Sequence, residues 1–320
     1  MRSAPPAVLA VLAAALILGF NPVAMKLLYA PPAGMVPFQF IASRAAWCLV
    51  MYAVVAFASR PSAPVHHSDW AKFALLGLCY GPGVGGLLPL GVSRTSATHT
   101  VFLYALGPPL TAALGALLLR EALPRVKTLA MILGVTGAVT VALGGSRGHA
   151  SSLLGDLLVT GMVIATALQT LVLRRIKGDY SPLFIAASYG MIGSIMLLAI
   201  TLPLGGARYI ALPLRIDVPG ELLFFGEIVI GVSLLAQMFQ SRALHTLKAG
   251  MVSALVRYGA LLTGTISAFF LLGENASSTE LVGGLLLAIS VGLTLVPDGR
   301  LSWAQSKLQP HLHPDFHPLH

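Results

Sequence analysis

Charge is what this chain has least of. Only 10% of its 320 residues are Asp, Glu, Lys or Arg, while 56% are hydrophobic, which leaves too little polar surface to coat a water-soluble globule. Cysteine is nearly absent. Cys48 and Cys79 both fall within apolar runs, where a free thiol behaves as a small hydrophobe, and two such residues make neither a disulfide framework nor a metal motif. The first apolar run is long and carries Asn21, Pro22 and Lys26, so it is expected to stay as a helix and not to be removed as a signal peptide. Strict apolar/polar alternation is also missing, which argues against a transmembrane β-barrel.

What remains is long apolar runs. A helix needs roughly 20 residues to cross a hydrocarbon core of about 30 Å, and the chain is cut into ten such spans by breaks at 31–32, 60–67, 94–96, 120–125, 144–151, 174–181, 205–220, 242–248 and 273–278. Basic loops are retained in the cytoplasm. With the N-terminus inside, thirteen Lys and Arg residues fall on the cytoplasmic side, against Arg94, Arg147, Arg208 and Arg215 outside. Both termini are therefore expected to be cytoplasmic. The net charge of +9 is spread over helix ends and forms no single patch, so it reads as a topology signal and not as a nucleic-acid surface.

A shift of 153 residues lays the second half over the first and places Leu118-Leu119-Arg120-Glu121 on Leu271-Leu272-Gly273-Glu274. Five spans per half is an odd number, so the second half enters the membrane from the opposite side. The expected architecture is thus all-α and integral to the membrane, with ten transmembrane helices as two inverted five-helix repeats, the arrangement on which alternating-access transporters are commonly built. The repeats are expected over 1–148 and 149–298. The tail at 299–320 ends in HLHPDFHPLH and reads as a disordered cytoplasmic segment more readily than as a metal site.

Motifs in this order resemble the drug/metabolite transporter superfamily, in particular its EamA-type members, over most of the chain. Gly19-Phe20-Asn21-Pro22-Val23-Ala24-Met25-Lys26 is similar to the family's W-G-x-N-x-x-x-K pattern, with departures at Phe20 and Pro22. Arg44 falls where the family carries an arginine in its second helix. Pro108 to Glu121 followed by Gly134 and Gly137, Gly155-Asp156-Leu157-Leu158, Arg174-Arg175, and Leu271-Leu272-Gly273-Glu274 followed by Gly283-Gly284 resemble later family landmarks. The resemblance implies a ten-helix fold with a central cavity between halves, cytoplasmic termini, residence in a bacterial-type inner membrane, and export of small metabolites or drugs without a cofactor.

Ionisable groups within lipid usually face a bundle interior or a water-filled cavity, which singles out Lys26, Arg44, Glu227 and Arg257. Arg44 lies about nine residues, or roughly 13 Å, from its helix end, near the midplane. It is either an anchor for a carboxylate or phosphate or a donor to carbonyls freed at Asn21-Pro22. Lys26 is near enough to a helix end to snorkel. The repeat shift pairs Arg257 with Tyr104, which puts both on the cavity if the halves pack symmetrically; pairing with Glu227 is the structural alternative for Arg257. Glu227 is the one carboxylate well within a span and the first candidate for proton coupling. His99 is the second, because its ordinary pKa is near neutrality, although a position near a helix start also suits an interfacial histidine.

Asn21, Tyr104, Gln169, Tyr189, Gln237, Gln240 and Tyr258 supply hydroxyl and amide groups, of which Arg44, Tyr104, Arg257, Tyr258, Gln237, Asn21 and Tyr189 form the expected substrate-binding set. Gly81-Pro82-Gly83 and Gly107-Pro108-Pro109 are candidate hinges. No His/Asp or Ser/His/Asp constellation is legible along the sequence, so an enzyme is not expected. The expected partners are a small solute, anionic or zwitterionic given three intramembrane cations against one carboxylate, and the lipid bilayer, with no nucleic acid. The chain is expected to act as a monomer or homodimer. A passive facilitator or an uptake permease of the same fold is the alternative to secondary export.

Overall fold

The computed structural model describes residues 4–59, 61, 65–119, 125–144, 152–173, 175–176, 180–211, 219–244 and 249–294. The expectations resting on Glu121, Arg147, Arg174 and the histidine-containing tail lie outside the described residues. The helices are α1 (Ala4–Tyr29), α2 (Pro37–Ala58), α3 (His67–Leu78), α4 (Leu87–Val92), α5 (Ala97–Tyr104), α6 (Gly107–Leu119), α7 (Arg125–Gly144), α8 (Leu153–Leu173), α9 (Pro182–Thr201), α10 (Pro219–Gly226), α11 (Ala236–Leu244), α12 (Ala249–Leu272) and α13 (Ser278–Thr294). Local chemistry sets several starts. Pro37 and Pro182 occupy first turns, where a missing N–H costs nothing, and Ser96 and Ser181 accept from the amides of His99 and Phe184 at 3.0 and 3.1 Å, satisfying donors that have no partner inside the helix.

Among the described residues, eight helical runs are long and apolar enough to cross a bilayer, and α5 with α6, bent by 42° where they meet, pass the same test when taken together. The shorter apolar helix Ser278–Leu293 accompanies them. Their outer surface is apolar: Leu117, Leu143 and Phe270 are exposed, whereas Asn21, Arg44, Asp69, His99, Asp156 and Glu280 are buried. This inverts the soluble pattern, as a hydrocarbon solvent requires.

The packing repeats across the two halves. α1 packs on α12 and on the span from α10 to α11, and its counterpart α8 packs on α5 and α6 and on the span from α3 to α4. α2 packs on α9, and α7 on α13. The third span of each half also departs from α-helix, with π-helical turns over Cys79–Gly86 and Glu227–Leu235 that partly overlap under the repeat shift. Such wide turns leave backbone groups out of the regular ladder and often occur at functional sites.

The α7–α13 contact depends on two glycines. A Cβ added to Gly283 would stand 2.7 Å from the Gly137 carbonyl oxygen, and one added to Gly137 would stand 2.8 Å from the Gly283 carbonyl oxygen. Close backbone approach at small residues is how helices pack without a hydrophobic driving force. Gly283→Leu is expected to force these helices apart at a cost of about 1–3 kcal/mol, seen as a lower melting temperature in detergent; an unchanged melting temperature would show that the contact is loose.

Candidate functional site

A central cavity with about 200 Å³ of room, enough only for a small molecule, lies among α1, α2, α5, α8, α12 and the two π-helical spans. Its polar lining includes Asn21, Arg44, Tyr80, Tyr104, Gln169 and Arg257, together with Gln237 and Gln240. No Asp or Glu is among the described lining residues.

Arg44 stands where the irregular spans converge. Its Nη2 donates to Ser233 Oγ at 3.4 Å, while a Cβ on Gly85 would come within 2.8 Å of its Nη1, so one guanidinium touches both π-helical segments. Ser233 in turn donates to the Ile228 carbonyl five residues back at 3.2 Å. Tyr52 donates to the Ser233 carbonyl at 3.1 Å and shares a 2.6 Å hydroxyl contact with Tyr80. Arg44 Nε is buried without a partner, as is Asn21 Oδ1 beside the proline inside α1. Buried polar atoms left open cost stability, so such atoms lining a cavity are suited to meeting an occupant.

Arg257 approaches from α12. A Cβ on Gly107 would lie 3.2 Å from its Nη2, so the absence of a side chain there lets the guanidinium lie against the backbone at the α5–α6 bend. Pro108 and Pro109 create that bend, since they remove the two N–H groups that would bond back to the carbonyls of residues 104 and 105. Tyr104, at the end of α5, lines the same cavity.

The remaining expected residues are distributed more widely. Gln237 and Gln240 also line a second cavity with Tyr189, near the end of α8 and the start of α9, and the Tyr189 ring centroid is 5.2 Å from that of Tyr80. Tyr258 turns toward α13, donating to the Ala288 carbonyl at 2.7 Å. Glu227 begins the second π-helical segment. Both its carboxylate oxygens are buried and unpartnered, and no ion pair joins it to Arg257 among the described residues.

His99 is not an ordinary interfacial histidine, and the apparent lack of a His/Asp constellation is corrected by the structure. The ring is fully buried. Nδ1 lies 3.2 Å from both carboxylate oxygens of Asp156 on α8, and Nε2 lies 2.6 Å from Glu280 Oε1 on α13, close enough for an ion pair but out of line for a hydrogen bond. Thr95 Oγ1 donates to Asp156 Oδ1. Glu280 Oε2 accepts from the Ser277 amide at 2.5 Å while Ser277 Oγ accepts from the Glu280 amide at 3.2 Å, a capping box. Glu274 completes this end. Its Oε1 accepts from the Ala97 amide at 2.9 Å, and its Oε2 accepts from the Thr98 amide and hydroxyl at 2.9 and 2.8 Å. Each carboxylate lies at or near a helix N-terminus, where the backbone dipole favours negative charge. The Ser277-x-x-Glu280 pattern was readable as a helix start; that Glu280 also reaches His99 was not.

The EamA-like transporter family model matches residues 5–143 and 153–296. A solved crystal structure of another protein is 15% identical and superposes with a TM-score of 0.59, over 93% of this chain and 99% of that one; at such identity the likeness is one of fold. No curated protein matches this sequence.

Proposed function

The chain belongs to the EamA-like transporter family, and from that premise we propose that it exports a small organic anion or zwitterion across a bacterial-type inner membrane by alternating access. It is a multi-pass membrane protein of a transporter family, acting on a small solute within a lipid bilayer. The observation that carries the finer reading is the pairing of Arg44 and Arg257 on one central cavity with no carboxylate among its described lining residues. Two guanidinium groups in a low-dielectric site hold a carboxylate or phosphate far more strongly than they would in water. Tyr104 and Asn21 would orient the rest of the solute, and Gln237 with Gln240 would line its path from the cytoplasmic end.

In this reading ten spans run with both termini inside, α5 with α6 and α13 included, and the halves rock about the site. The π-helical segments give the motion its compliance, and Glu227 supplies a buried carboxylate for coupling to protons. Metabolites released by cells with and without the protein, measured without targeting, test the substrate class. The expected result is selective accumulation outside of a carboxylated or phosphorylated compound. Release of only cationic or uncharged compounds would overturn the assignment, and flux that never exceeds the solute's own gradient would identify a facilitator.

A further inference from the structure

We infer that His99, Asp156 and Glu280 form a proton-binding site that latches the external end of the bundle shut. The argument rests on lone pairs. An unprotonated ring nitrogen and an ionised carboxylate oxygen both present lone pairs, so a 2.6 Å or 3.2 Å approach requires a proton on one of the two atoms. His99 makes such an approach at both nitrogens, to Asp156 and to Glu280. A neutral imidazole carries only one N–H. The closed arrangement therefore holds one proton more than a neutral ring between two carboxylates, and removing it sets a nitrogen lone pair against a carboxylate in a buried site.

The surroundings leave the cluster little other means of compensation. α8 contributes Asp156, and α13 contributes Glu280, with Glu274 just before it at the N-terminus of α5. From α1, Lys26 is near enough to Glu274 for their charges to interact. Arg94 follows α4, and its carbonyl accepts from the Ser152 amide and hydroxyl, both at 2.9 Å. α12 brings Arg257, which lies at Gly107 beyond the other end of α5. The ionisable residues of α7, Arg125 and Lys127, are at its far end, whereas Gly144 at its near end accepts from Ser277 Oγ at 3.4 Å. His99 Nε2 is buried and lacks an aligned partner, so it is the atom at which the extra proton decides whether α13 stays against α5.

The step balances simply. Closure takes one proton from water on the external side, and opening returns it there, so the site controls when that end opens and moves no net charge across the membrane. Acid outside favours the closed end, and alkali favours opening. The consequence for transport rests on the alternating-access reading, but the site can be tested without any solute.

Spin labels at Leu153→Cys on α8 and Leu281→Cys on α13, both exposed positions, report the separation of these helices by electron double resonance in nanodiscs, with the full chain and the native cysteines buried. Between about pH 5 and about pH 10, a range that brackets an ordinary histidine, the distance is expected to lengthen by roughly 5 Å as the pH rises. In Glu280→Gln the carboxamide can donate to an unprotonated Nε2, so the distance is expected to stay short throughout. In His99→Gln the titrating ring is gone, and the transition is expected to vanish. A pH-independent distance in the parent chain, or a transition with the same midpoint in both variants, would overturn the proposal. If the transition behaves as expected while no anion is exported, the transport reading fails and the proton site stands.

Discussion

Arg257→Gln is expected to lower flux of the transported anion in proteoliposomes by one to two orders of magnitude while leaving the protein folded. A hydrogen bond to a charged group contributes about 1.5–3 kcal/mol, and each 1.4 kcal/mol is roughly tenfold in affinity. Arg257 lies against Gly107 and faces the cavity, and no ion pair joins it to a carboxylate among the described residues, so its removal strands no partner there. Arg257→Lys is expected to restore only part of the flux, because an ammonium lacks the planar fork that grips two oxygens at once. Arg44→Gln differs in kind: its guanidinium donates to Ser233 and abuts Gly85, so the yield of folded protein is expected to fall along with the flux. Uptake of radiolabelled carboxylates and phosphate esters, paired with melting temperatures, separates the two variants. Full flux in Arg257→Gln would remove this residue from the site.

The largest expected stability effect is at Glu274. Glu274→Ala strips three donors at once, the amides of Ala97 and Thr98 and the Thr98 hydroxyl, in a place where the whole residue is only 2% exposed. Leaving buried donors without an acceptor, at a helix N-terminus and near Lys26, is expected to cost about 3–5 kcal/mol. The geometry explains why the residue follows a glycine. Gly273 adopts a left-handed φ of 65°, α12 ends there, and the Glu274 amide turns back to the Ala268 carbonyl at 3.2 Å. This return spans one residue more than the 6→1 bond of a Schellman ending, and it delivers the Glu274 side chain to the start of α5. Glu274→Gln keeps one acceptor but presents an amide to a donor, so an intermediate loss is expected. Thermal melting gives the magnitude, and hydrogen exchange at the Ala97 and Thr98 amides locates it. Wild-type protection of those amides in Glu274→Ala would refute the capping role.

The sequence located Glu274 by its match to Glu121 but did not assign it a partner, because the partner amides lie more than 170 residues earlier, on the other half. The same limit applies to the cavity. Arg44, Tyr104 and Arg257 were legible because a charge or hydroxyl within an apolar run is rare and expensive. Tyr80 and Ser233 were not, since neither is unusual in a helix. The π-helical turns were half legible: Cys79–Gly86 is full of glycine around Pro82, whereas Glu227–Leu235 has only Gly231 and no proline, so its irregularity comes from packing and not from a local breaker.

Hydropathy by itself determined that this is a membrane-embedded helical bundle, because the bilayer acts on each apolar run separately and the length of a run is a local property, and the 153-residue shift showed two related halves. The tertiary structure alone decided which scarce polar groups meet. His99 reads as an isolated histidine until the N-terminal turns of α5, α8 and α13 come together, and burial then holds its two nitrogens against two carboxylates. Charge pairing of that kind depends on distances across the fold, which the order of residues along one chain does not express.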